Sequence, residues 1–128
     1  MKIFLCENDP YRAKLMQDIL AVYNYKVVTV GNQGDFFQKA QNQKPAIIVI
    51  NEMFAQHSGN EMLSSLRKDP KTANIPVIFI SNDKPIETQL NQYRFDSLTE
   101  FVQEPIKIKN LRHYIDRWTT FRSLYIEH

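Results

Sequence analysis

The sequence predicts an α/β protein: a three-layer, doubly wound parallel sheet of five strands. Three observations carry that expectation. Short apolar runs recur at Ile3 to Cys6, Val27 to Val30, Ile47 to Ile50, Val77 to Ile80 and Phe101 to Val102. The stretches between them space their apolar residues at helical intervals. The connections are short, so right-handed helical crossovers covering both faces of a parallel sheet are the simplest packing.

Strand one contains Cys6, the only cysteine, which reads as inert packing; a lone thiol excludes an intrachain disulfide or a thiolate zinc site. Helix one starts where Asp9 can cap it and Pro10 suits its first turn, with Leu15, Ile19, Leu20 and Tyr23 as its expected buried stripe. Strand three, in A-I-I-V-I-N-E at 46 to 52, is uninterrupted and apolar, as a strand covered on both faces must be. It ends on an amide, Asn51, expected to close the strand by bonding to loop backbone. The third helix opens on S-G-N-E at 58 to 61, a capping box, and runs through Met62, Leu63 and Leu66. Pro45, Pro76 and Pro105 punctuate the approaches to later elements. A fourth helix is expected between strands four and five.

The last helix, about 107–126, aligns Leu111, Ile115, Trp118 and Arg122 on one face. Tyr114, Phe121 and Tyr125 widen the stripe beyond what one sheet face covers. That excess makes Tyr114, Trp118, Phe121 and Tyr125 candidates for a partner surface, since aromatics and arginine are enriched at interfaces. Lys107, Lys109, Arg112, Arg117 and Arg122 make the same helix basic.

With 128 residues, 43% of them hydrophobic, the chain is sized for one domain over 1–128. The 16 basic and 14 acidic residues leave a formal net charge of +2, too mild to point to nucleic acid. No charged leader, cleavage site or apolar run of about 18 residues appears, so a cytoplasmic protein without a membrane segment is expected. His57 and His113 lack partners at metal-ligand spacing and read as surface residues.

Five such units adopt the order 2-1-3-4-5 in flavodoxin-like folds. The ends of strands one and three then lie side by side, and Glu7-Asn8-Asp9 faces Asn51-Glu52 across a crevice. Over essentially the whole chain the pattern resembles the receiver domain of bacterial two-component response regulators, the CheY-like superfamily. Glu7, Asn8 and Asp9 with Pro10 stand at the family's acidic cluster, and Asn51 at its phosphoacceptor, with Met53 and Gly59 at the family's offsets. Ser81 matches the small hydroxyl residue at the end of strand four. Phe101 precedes Glu104-Pro105 as the family's aromatic precedes its Lys-Pro, so Ser81 and Phe101 occupy the switch-pair positions. That Lys-Pro bond is often cis, which leaves the bond before Pro105 open.

The resemblance also defines what has changed. In working receivers the aspartate matching Asn51 accepts a phosphoryl group from a histidine kinase, with Mg²⁺ held by that residue and the acidic cluster. An amide oxygen is a poor nucleophile beside a carboxylate. Asn8 removes a second negative charge that a hard cation seeks. Glu104 replaces the family's lysine and reverses its sign. The resemblance therefore implies a degenerate pseudo-receiver, not an enzyme, that acts through protein partners without aspartate phosphorylation. Mg²⁺ binding is expected to be weak or absent, with no other cofactor. Receivers commonly dimerise through the face formed by the fourth helix, strand five and the last helix, so a homodimer there is one expected contact.

Two other functions fit less well. A phosphorelay receiver using Asp9 or Glu52 as substitute acceptor meets poor geometry, because Asp9 is needed as a cap and Glu52 should face away from Asn51. A flavodoxin-like cofactor carrier needs a hydroxyl- and glycine-rich anion loop after strand one. Glu7-Asn8-Asp9-Pro10 supplies neither.

Overall fold

The computed structural model describes residues 1–56, 59–81 and 97–126, with residues 60, 108 and 121–126 described by their backbone only. Its elements run β1 (Lys2–Cys6), α1 (Pro10–Ala21), β2 (Lys26–Val30), α2 (Phe36–Gln43), β3 (Ile47–Asn51), α3 (Glu52–Ala55), α4 (Gly59–Lys68), β4 (Val77–Ser81), β5 (Thr99–Gln103) and α5 (Ile108–Ile126). The strands form one parallel sheet in the order β2-β1-β3-β4-β5. This is the topology expected from the sequence.

Successive side chains of a strand point to opposite faces, so the unbroken apolar runs feed two cores. Phe4, Cys6, Ile48, Ile50 and Val77 pack with Phe36, Phe54 and Leu66 from α2, α3 and α4 on one face. Ile3, Leu5, Ile47, Val49, Ile78 and Ile80 pack with Met16, Leu20, Leu111 and Ile115 from α1 and α5 on the other. Ile3, Ile47, Ile48, Ile50 and Ile78 are fully buried, and each such side chain contributes about 1.5–3 kcal/mol of burial free energy.

Three features differ from the sequence expectations. Leu15 is 56% exposed; α1 buries Leu20 as expected, and with it Ala13 and Met16, which were not. At about 100° of rotation per residue, Leu15 is carried off the face that Met16 occupies; the small Ala13 belongs to that face. Strand β5 extends over five residues, not two, because backbone pairing with β4 from Val77↔Thr99 to Ser81↔Gln103 carries its polar ends. The one-turn helix α3 was not anticipated. Asn51 caps it, so the amide that ends β3 also starts the next element.

The expected starts of the other helices hold where they are described. Asp9 accepts from the N–H groups of Tyr11 and Arg12, and Pro10 is the first residue of α1. Met62, Leu63 and Leu66 are buried under α4. Ser58 of the expected capping box, His57 and the helix expected between β4 and β5 lie outside the described residues. The peptide bond between Glu104 and Pro105 is cis.

Candidate functional site

Cys6 pairs with Ile50 in the sheet, so β1 and β3 release Glu7 and Asn51 side by side at their C-terminal ends. A pocket of about 340 Å³ opens there, lined by Glu7, Asn8, Asp9, Arg12, Asn51, Met53 and Glu104. Glu7, Asn8 and Asp9 meet Asn51 across one crevice as expected from the sequence, but Glu52, expected beside Asn51, does not line it. Glu104 arrives from the end of β5, anchored by its own N–H bonding to the Ser81 carbonyl at 2.8 Å.

Asn51 is 7% exposed and uses both ends of its amide. Its Oδ1 accepts from the Met53 backbone N–H at 2.8 Å, which fixes the orientation of the group, and its Nδ2 donates to Glu104 Oε1 across a long 3.4 Å. Asn8 Nδ2 donates to the Met53 carbonyl, also at 3.4 Å. Glu104 Oε1 is in addition ion-paired with the Arg12 guanidinium. Glu7 is only 5% exposed. Burial pushes its pKa above the ordinary carboxylate value, and the Arg12 guanidinium draws it partly back down.

Arg12 is the site residue that sequence reading missed. A signal existed: it sits in the first turn of α1, where the helix dipole disfavours a cation by about 0.3–1 kcal/mol. A basic side chain there calls for an acidic partner. Glu104, 92 positions away, is that partner.

The other expected positions fall outside the pocket. The Ser81 hydroxyl donates to Glu52 Oε2 at 2.9 Å, and Glu52 does not line the crevice. The Phe101 ring is tilted against Phe79 with centroids 5.7 Å apart. On the last helix Tyr114 and Trp118 pack partly buried against the α1 and α5 core. The indole N–H of Trp118 donates to Glu100 Oε2 at 3.0 Å, and Arg117 pairs with the same carboxylate while lying 5.3 Å from the Tyr114 ring centroid. Side chains of Phe121, Arg122 and Tyr125 lie outside the described residues. Arg112 stacks 4.0 Å from the Tyr23 ring centroid, with its Nε 3.5 Å from Asp116 Oδ2. Among the described side chains of this helix, Arg112 and Arg117 thus face acidic partners. His113 is exposed, as its spacing suggested.

The donor set can be tested against the divalent ion that this fold implies. Asn51 Oδ1 accepts the Met53 N–H and is an uncharged amide oxygen, Asn8 offers an amide in place of a carboxylate, and Arg12 brings a positive charge into the same pocket. Among the described residues no three or more His, Cys, Asp or Glu side chains converge as metal ligands. Of the three carboxylates in the lining, Asp9 accepts backbone N–H groups and Glu104 is paired with Arg12, a poor match to Mg²⁺, which demands near-octahedral oxygen ligands.

Residues 3–116 match the family model of the response regulator receiver domain, and the chain belongs to that family. Among curated relatives, the protein PilH of Pseudomonas aeruginosa is 25% identical over 114 residues, covering 86% of this chain and 93% of its own length. The hybrid signal transduction histidine kinase D of Dictyostelium discoideum is 26% identical over 111 residues, which is 85% of this chain but only 7% of that much longer protein. Two solved structures share the fold. The receiver domain of a Francisella response regulator superposes with a TM-score of 0.80 at 18% identity, covering 94% of this chain and 98% of that one. The receiver domain of the sensor histidine kinase PA1611 of Pseudomonas aeruginosa, solved with magnesium in its active-site cleft, gives a TM-score of 0.77 at 17% identity over 93% of this chain and 97% of that one. No helix among the described residues is long and apolar enough to cross a membrane.

Proposed function

We propose that this receiver domain is degenerate: a cytoplasmic signalling module that acts by protein contact and takes no phosphoryl group. One observation carries the reading. The side chain at the end of β3 is an amide whose oxygen is spent on the Met53 N–H and whose nitrogen faces a carboxylate. The atom that would attack phosphorus in a working receiver is replaced by an N–H donor or by an uncharged amide oxygen, a far weaker nucleophile than a carboxylate. Glu104 adds negative charge where an incoming phosphoryl group needs a cation.

A substitute acceptor finds little support in the geometry. Asp9 Oδ1 accepts two backbone N–H groups at the start of α1, and Glu52 accepts from Ser81. Each carboxylate is engaged in holding a local element. Partners are proteins in this reading, with a homodimer over β5 and α5 as one arrangement. The test is incubation with a small phosphodonor and Mg²⁺, read by intact mass, for the wild type and for Asp9→Ala and Glu52→Ala.

A further inference from the structure

The pocket's charges do not stand as the sequence alone suggests. Glu7, Asp9 and Glu104 bring three carboxylates to its lining, and a crevice so lined should attract a cation from solution. Arg12 lies among them. It pairs with Glu104 directly and is the strongest favourable charge acting on the buried Glu7. Its own side chain is 37% exposed and that of Glu104 17%, so the pair is more open to solvent than Glu7, which is 5% exposed.

We propose that the Arg12 guanidinium is the resident cation of this site. It takes the place that a divalent ion fills in metal-dependent receivers, with Glu104 holding it there. The site is then complete in its own side chains, with Arg12 supplying the positive charge and Glu104 the negative charge next to the Asn51 amide. A divalent ion entering the pocket meets a fixed positive charge and two amides. Removing Arg12 leaves the three carboxylates without that counter-charge. This inference rests on the degenerate-receiver reading but is separable from it, because a pocket can bind metal and still lack an acceptor.

The experiment uses Mn²⁺ alone as probe, read by paramagnetic broadening of backbone amide signals at residues 7–9 and 51–53 of the full chain. The wild type and Arg12→Lys, which keeps the charge, are expected to show no site-specific broadening at stoichiometric Mn²⁺. Arg12→Ala and Arg12→Gln are expected to bind Mn²⁺ at this site about tenfold or more tightly than wild type, the scale set by deleting a unit charge about 5 Å from a divalent ion in high dielectric. Stoichiometric Mn²⁺ binding by the wild type at these amides would overturn the proposal, whatever the variants do. So would equal Mn²⁺ affinity in wild type and folded Arg12→Gln. If the wild type binds Mn²⁺ but gains no phosphoryl group by mass, this inference fails and the degenerate-receiver reading stands; if it gains one, that reading fails on its own measurement.

Discussion

Asn51 and Glu104 meet across the pocket as donor and acceptor, amide Nδ2 to carboxylate Oε1 at 3.4 Å. The contact matches an amide donor to a carboxylate acceptor. Asn51→Asp keeps the oxygen that accepts from Met53 but sets two carboxylates against each other, one of them largely buried. The cost expected is about 1–3 kcal/mol at neutral pH, measured by urea unfolding. Glu104→Lys added to Asn51→Asp should recover most of that loss. A double-mutant cycle with no coupling between the two positions would show that they do not interact.

Glu7 sets a pH dependence whose sign follows from its raised pKa. Between the ordinary carboxylate value and the raised folded value, the native state holds more protons than the unfolded chain, so stability falls as pH rises through that interval. Glu7→Gln should flatten the profile there and leave the protein no less stable at neutral pH. Arg12→Gln should push the Glu7 pKa further up, because it removes the largest opposing influence. NMR titration of the Glu7 carboxyl reads both; a Glu7 pKa below the ordinary value, or unmoved by Arg12→Gln, contradicts the arrangement.

Tyr25, immediately before strand β2, ties that end of the strand to α5 through its hydroxyl, which donates to Asp116. Burial first, and then the bond to Asp116, raise its pKa to about 12. Any stability this contributes is present below the ordinary tyrosine pKa and is lost as pH climbs toward 12. Tyr25→Phe should cost about 1 kcal/mol at pH 7 and remove a phenolate step near pH 12 from an ultraviolet titration. A titration unchanged by the substitution would show that Tyr25 ionises normally.

Trp118 is the chain's single tryptophan, and its indole N–H is bonded to Glu100 at the β5 edge. Fluorescence therefore reports the docking of α5 on the sheet without interference. Glu100→Ala should shift Trp118 emission to the red and lower stability by about 1 kcal/mol, as the indole and Arg117 lose their shared acceptor. Emission identical to wild type would mean the indole does not depend on that carboxylate.

The fold was legible in the sequence because strands buried on both faces must be apolar throughout, and β1, β3 and β4 left such runs; the edge strand β5 left only Phe101-Val102, because its ends are polar. The pocket's membership followed from the strand order, which brings Glu7 and Asn51 together wherever they stand in the chain. What could not be read came from side chains whose role depends on distant partners. Arg12 looked like one more helix residue because Glu104 is its neighbour only after folding. Leu15 was misplaced because a large apolar residue outweighed Ala13, although close helix packing favours the smaller one. The α3 turn was hidden because Asn51 serves as strand end and helix cap at once. Trp118 was expected in line with Leu111 and Ile115, and it packs partly buried against their core and bonds to Glu100; Tyr114, expected to the side of that stripe, is partly buried against the same core.

The central claim is chemical silence at the end of β3, and intact mass spectrometry tests it most directly. The wild-type chain is incubated with acetyl phosphate and Mg²⁺, then with a phosphorylated histidine kinase, beside a working receiver as positive control. The account predicts an unchanged mass while the control gains a phosphoryl group. A single acid-stable or acid-labile phosphoryl adduct on the wild type, mapped to the peptide holding residues 51–53, would contradict it.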